Sequence, residues 1–269
     1  MKLEEVVPAV ANRRAFLKGA GIAGIGLASA AVIGKEFGPG EQKVEAAQYA
    51  DAEILNFALN LEYLEAEFYL IATYGTTLVK YGIIKSWQES GPTTGGKMVH
   101  NFGAADSAYV ATALRVDEVA HVQFLRSALG SAAVKKPAIN LDALGYGFGS
   151  VHDFLKLSRQ FEDVGVSAYL GAAPYISNGA YLSAAAAILG TEAQHSGAIR
   201  DLCIMNGVSS PAVDSLDVPP SSSKPFDVNS HAMCIPRTFA QVLNIVYHGG
   251  NCSGGFYPEG MNGSIVCRS

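Results

Sequence analysis

The sequence predicts an all-α protein: a four-helix bundle with long loops, followed by an irregular C-terminal extension containing one short helix. Three observations predict it. Apolar residues recur at steps of three and four through four long segments between Ala50 and Gly207, with little two-fold alternation. Glycine, proline and polar clusters separate those segments. Two of the segments carry Glu-x-x-His inside an apolar stripe, a spacing that puts both side chains on one face of a helix.

The first helix is expected from Asp51, a suitable N-cap, to Tyr74, ahead of Gly75. A loop rich in Gly, Thr and Ser follows over 75–105, with Gly91-Pro92 and Gly95-Gly96. The second helix is expected from about Asp106 to Leu129, closed by Gly130. Residues 131–149, with Pro137, Gly145, Gly147 and Gly149, are long enough to cross a bundle. Ser150 and Asp153 form a capping-box-like start for the third helix, which runs to about Gly171 and must break near Pro174. Asn178 caps the fourth, Ala-rich through Ala184 to Ala187 and stopped by Asn206-Gly207. The chain is then rich in Pro, Ser and Asp up to Pro225. A short helix is expected from Pro236 to Tyr247, with Pro236 in its first turn, before a glycine-heavy tail. These readings divide the chain into 1–48, 49–207 for the bundle, and 208–269 for an extension packed on it.

With 269 residues, 49% hydrophobic and 16% charged, the chain can bury a core and is no disordered segment. A net charge of -5 argues against nucleic acid or an anionic membrane as partner, since both call for clustered Lys and Arg. The first 48 residues read as an address. Arg13 and Arg14 stand within Asn12 to Lys18, and the 16 residues from Gly19 to Gly34 carry no charge. That run is short for a span of about 20 residues. It resembles a twin-arginine export signal, which implies the twin-arginine translocase as a transient partner and a periplasmic or extracellular destination. Cleavage near Ala46, Ala47 or Ala50 and retention as an anchor both fit.

All four cysteines, Cys203, Cys234, Cys252 and Cys267, fall in the last quarter of the chain. In an oxidising compartment two disulfides would tie the tail to the body, with three connectivities open. No Cys-x-x-Cys pair supports zinc.

The chemistry-bearing residues form a quasi-repeat. Glu118-Val-Ala-His121 lies in a stripe of Ala111, Leu114, Val122 and Leu125. Glu192-Ala-Gln-His195 lies in one of Ala185, Ile188, Ile199 and Leu202. The other two helices each place a glutamate seven residues before a tyrosine: Glu62 with Tyr69, and Glu162 with Tyr169. A carboxylate facing a core is costly unless paired or metal-bound. Oxygen donors with one imidazole per ion suit two iron or manganese ions, with zinc a weaker fit. On the first helix Glu65 also faces apolar neighbours and could replace or supplement Glu62, whereas Glu67 and Glu53 read as solvated. Tyr69 and Tyr169 read equally as hydrogen-bond donors to ligand carboxylates or as core residues. Asp117 and Asp163 point away from their neighbouring glutamates, toward the surface or a supporting position. His100, His152, His231 and His248 lack a carboxylate three residues earlier and read as ordinary polar residues.

This pattern resembles the ferritin-like carboxylate di-metal superfamily, in which two helices give one Glu each and two give Glu-x-x-His. Within it, the stretch from Leu55 to Tyr69, and Gln241 to Tyr247 before a Gly-rich segment, resemble the desiccation-related branch. The resemblance implies two metal ions per chain, held by Glu62, Glu118, His121, Glu162, Glu192 and His195. It leaves open two functions: redox chemistry on peroxide, dioxygen or ferrous ion under oxidative or desiccation stress, or non-catalytic metal binding in stress protection. The long loops and extra tail fit a monomer or small homo-oligomer better than a storage cage.

Overall fold

The computed structural model describes residues 49–102, 105–146 and 148–268. The arginine pair and the apolar run after it lie outside these residues. Four long helices form the body: α1 (Asp51–Tyr74), α3 (Ala105–Leu129), α4 (Val151–Ala172) and α5 (Gly179–Met205). Between α1 and α3 lies the four-residue α2 (Leu78–Tyr81), and α6 (Phe239–Val246) lies in the C-terminal extension. α1 packs along α3 and α4 along α5, and the two pairs meet where α1 touches α4 and α3 touches α5. No described helix is long and apolar enough to cross a membrane.

The helix ends follow local chemistry, with two corrections. Asn178 caps α5, its Oδ1 accepting from the amides of Ala180 and Tyr181 at 2.8 and 3.3 Å. Ser150 caps α4 through Asp153 N. Gly75 and Gly207 take left-handed φ angles of 63° at the ends of α1 and α5. Asp51, however, is not the cap of α1. Ala50 holds that position, its amide donating to Glu53 Oε2 at 2.7 Å. The Asp51 carboxylate instead accepts from the amides of Ser177 and Asn178, both at 2.8 Å, tying the start of α1 to the start of α5. The last helix also starts later than Pro236 suggests. Thr238 caps it in a reciprocal box with Gln241, because a hydroxyl that satisfies an orphan amide outweighs a proline's fixed φ.

The long loops are less irregular than their composition indicates. Thr93–Thr94 (β1) pairs in parallel with Ile139–Asn140 (β2), so the 75–105 loop and the 131–149 loop are stitched together. Gly91 permits this, since a Cβ there would lie 2.6 Å from the Cβ of Ala138.

α1 is the central helix: every residue from Ile54 to Ala72 is buried. The outer side of a bundle helix normally meets water, but here loop and tail cover it. Asn56 bonds Ala132 O and Val134 N, while Asn60 exchanges bonds with the backbone of Asn262 and accepts Tyr257 OH at its carbonyl. The expectation that Glu67 is solvated is therefore wrong. It is fully buried, accepts from Leu78 N, and lies 3.9 Å from the equally buried Lys136.

The extension is anchored by arginines. Arg159 of α4 grips both carboxylate oxygens of Asp217, Arg200 of α5 bonds Asp163 and the carbonyls of Val218 and Pro225, and Arg237 binds Asp214 through two nitrogens. This network takes the role expected of two disulfides. One disulfide is present, Cys252–Cys267, and it closes the tail on itself. Cys203 is a buried free thiol facing Leu155 O, and Cys234 is also free.

Candidate metal centre

The four bundle helices converge on one carboxylate-rich point. One ligand atom each from Glu62, Glu118, His121 and Glu192 lie within 4.8 Å of one another, and so do those of Glu118, Glu162, Glu192 and His195. Glu118 and Glu192 belong to both groups, so they occupy the shared middle. Glu62 with His121 and Glu162 with His195 form the two flanks. All four glutamates are fully buried.

On one flank His121 Nδ1 lies 3.2 Å from both Glu62 Oε2 and Glu118 Oε2, within hydrogen-bond reach; the other flank and the middle are less satisfied. His195 Nδ1 lies 2.9 Å from Glu118 Oε1 and 3.3 Å from Glu162 Oε2, yet none of the three makes a hydrogen bond. Both oxygens of Glu192 are likewise buried without a partner. Orphaned buried acceptors are costly, and several pointing into one space fit a cation that accepts their lone pairs. With neutral imidazoles, two divalent ions would balance the formal charge of four carboxylates. The donor set of oxygen and imidazole nitrogen suits iron or manganese.

Protons respond to the same crowding. Burial, then repulsion from Glu118, holds Glu192 well above the usual carboxylate range. Burial and Glu62 push Glu118 up to about 7. Burial also opposes ionisation of Glu62, but its contacts with His121 outweigh that and leave it lowered. Burial disfavours the charged imidazole of His195, yet Glu118 and Glu162 push it up to about 12, and His121 rises for the same reason.

Around the cluster, each tyrosine hydroxyl reaches the glutamate of the opposite helix. Tyr69 on α1 donates to Glu162 on α4, and Tyr169 on α4 donates to Glu62 on α1. Burial first, then the adjacent glutamate, holds both phenols well above their usual range, so they stay donors. Ser158 meets Tyr69 at 2.5 Å, a contact the sequence reading did not single out. Asp117 takes a supporting position: its Oδ2 lies 3.1 Å from His195 Nε2, which turns Nδ1 toward the cluster. Asp163, in contrast, is a buried member of the arginine network, bonded to Ser196 and Arg200. With Asp217 and Asp227 it forms a third acidic group, but guanidiniums already engage Asp163 and Asp217.

Glu65 joins neither ligand group. It is buried beside Glu192, across Gly165. A Cβ on Gly165 would lie 2.5 Å from Glu192 Oε2 and 3.2 Å from Glu65 Oε1, so this glycine makes room for two carboxylates. Burial, then Glu192, keeps Glu65 well above the usual range. Glu65 and Gly165 also border a cavity of about 160 Å³ between α1, α4 and the C-terminal extension. Exposed His248 lines this cavity, and His100, His152 and His231 are exposed as well. Neither Gly165 nor the cavity could be read from helical periodicity, since both depend on how the tail meets the bundle.

A protein from Nesocodon mauritianus described as "Ferritin-like catalase Nec2" is 25% identical over 274 residues, covering 81% of this chain and 86% of the relative. A family model described as a ferritin-like domain matches residues 50–204, more than half of the chain and all four bundle helices up to Ile204. The chain therefore belongs to the ferritin-like domain family.

Proposed function

We propose that the chain is an exported di-metal redox protein of the desiccation-related type that consumes hydrogen peroxide. Glu62, Glu118, His121, Glu162, Glu192 and His195 would hold two iron or manganese ions, Glu118 and Glu192 between them. The observation that carries this reading is the convergence of buried carboxylate and imidazole atoms on two adjoining points, several of them, on Glu118, Glu162, Glu192 and His195, without a hydrogen-bond partner. The name of the Nesocodon mauritianus relative supports peroxide as substrate.

Two ions that each change oxidation state by one would supply and recover the two electrons of peroxide dismutation, 2 H2O2 → 2 H2O + O2. The chain's own residues supply the setting. Tyr69 and Tyr169 hold Glu162 and Glu62 in place through hydroxyl bonds, and Asp117 fixes the His195 ring. Glu65 offers a carboxyl on the side where the cavity approaches Glu192. Export by the twin-arginine route, which carries folded proteins, would let the metal be installed before the chain reaches the periplasm or exterior.

The test is elemental mass spectrometry of protein from its native host, with peroxide consumption measured on the same sample. Close to two iron or manganese ions per chain with turnover is the expected result. Two ions without turnover would leave a stabilising or sequestering role, and no metal would overturn both.

A further inference from the structure

The cavity beside Glu65 is larger and more apolar than hydrogen peroxide calls for. Its volume is about 160 Å³, whereas an apolar cavity of about 150 Å³ already accepts benzene. Leu61, Leu64, Phe161, Val164, Ile245 and Phe256 form its walls. The mouth lies at Ala212 and His248, both exposed, and the floor at Glu65 and Gly165, both buried.

One polar group inside lacks a donor. Gln160, 4% exposed, gives its amide NH2 to Pro211 O at 3.0 Å and to Tyr146 OH at 3.3 Å, which leaves its buried Oε1 without a partner. A buried acceptor without a donor asks for an O–H or N–H from whatever enters. The walls ask for an apolar body, and the glutamates below the floor repel anions.

We infer that this cavity binds one small uncharged organic molecule, with an apolar body about one ring in size and a single O–H group. The hydroxyl donates to Gln160 Oε1, and the body packs against Phe161, Leu64 and Val164. Binding does not depend on turnover; only its effect on peroxide consumption rests on the function proposed above. An occupant stands between solvent and the Glu65–Glu192 side of the cluster, so it blocks peroxide arriving by this route.

The probes are phenol and toluene, a pair of nearly equal shape that differ in the O–H. Calorimetry with the full purified protein should show one saturable phenol site, at least tenfold tighter than toluene. Ala212→Trp, at the exposed mouth, should abolish phenol binding without loss of the fold. Gln160→Met should bring phenol down toward toluene, with circular dichroism confirming its helices. No saturable phenol binding, phenol binding undiminished in Ala212→Trp, or toluene equal to phenol in the wild type would each overturn the inference. Peroxide consumption is measured separately on the same samples. If the wild type consumes peroxide, phenol should slow it; if it consumes none, the proposed function fails while calorimetry still decides the cavity.

Discussion

Tyr69 and Tyr169 cross between α1 and α4 in opposite senses, each donating its hydroxyl to the glutamate on the other helix. The quasi-repeat of the sequence thus becomes a reciprocal brace, in which each half of the bundle orients a carboxylate of the other. The symmetry is broken at the histidines. Asp117 precedes Glu118 and bonds His195, while Thr191 precedes Glu192 and turns its hydroxyl back to Ala187 O. The two flanks of the cluster are therefore inequivalent.

Tyr169→Phe should lower metal affinity by about 10–100-fold, because it frees Glu62 Oε1 from its orienting donor. Tyr69→Phe should do the same through Glu162. Chelator competition checks both, and affinities unchanged in both variants would reduce the tyrosines to core packing.

Gly165→Ala separates helix propensity from the needs of the site. In a helix interior alanine is favoured over glycine by about 1 kcal/mol. Here the added Cβ would meet Glu192 Oε2 at 2.5 Å, so Glu192 must move. The expected outcome is metal content reduced well below that of the wild type. A variant that is fully loaded and simply more stable would show that Glu192 is free to shift.

The clustering residues were legible because Glu-x-x-His and Glu-x6-Tyr are local spacings on single helices, and helix caps such as Ser150 and Asn178 are local too. What was not legible depends on segments far apart in sequence. Glu67 reads as a solvated member of Glu62-Tyr-Leu-Glu-Ala-Glu67 until loop 132–136 and the tail wrap α1. Asp163 reads as a surface or supporting residue until Arg200 and the extension close over it. Gly165 looks like a neutral interruption of α4 until Glu192 arrives from α5.

Arg159→Ala should destabilise the protein by about 3–5 kcal/mol, because it leaves Asp217 buried and unpaired. The extension is the part that loses its anchor, so limited proteolysis should cut within 208–238 faster than in the wild type. Replacing both partners, Arg159→Met with Asp217→Leu, should recover much of the stability. Equal sensitivity of the single and double variants would mean that the pair matters for shape and not for charge.

Thiol counting distinguishes one disulfide from two. Alkylation of unfolded, unreduced protein should label Cys203 and Cys234 and leave Cys252 and Cys267 unlabelled. Cys203, held up to about 12 by burial, should stay unlabelled while the protein is folded. Removing the Cys252–Cys267 link should cost about 3 kcal/mol, the chain-entropy value for a loop near this length. Protein with no alkylatable thiol after unfolding would restore the second disulfide.

Glu67 gives the chain a pH dependence remote from the carboxylate–histidine cluster. Burial pushes its carboxyl up to about 7, against the opposing pull of Lys136. A carboxyl raised in the folded state binds its proton there while the unfolded chain, near 4.5, has released it. Folding thus favours the protonated form, and stability from this group is fully present below about 4.5 and falls as pH rises through about 7. The loss over that window is of the order of a few kcal/mol. Glu67→Gln removes the titration while keeping an acceptor for Leu78 N, and Lys136 retains its bonds to the carbonyls of Gly91 and Pro137. Denaturant unfolding of both proteins from pH 5 to 8 should therefore show the variant gaining on the wild type as pH rises. A difference between the two that is constant across this range would place the Glu67 proton in the unfolded range and make the Lys136 ion pair the dominant interaction.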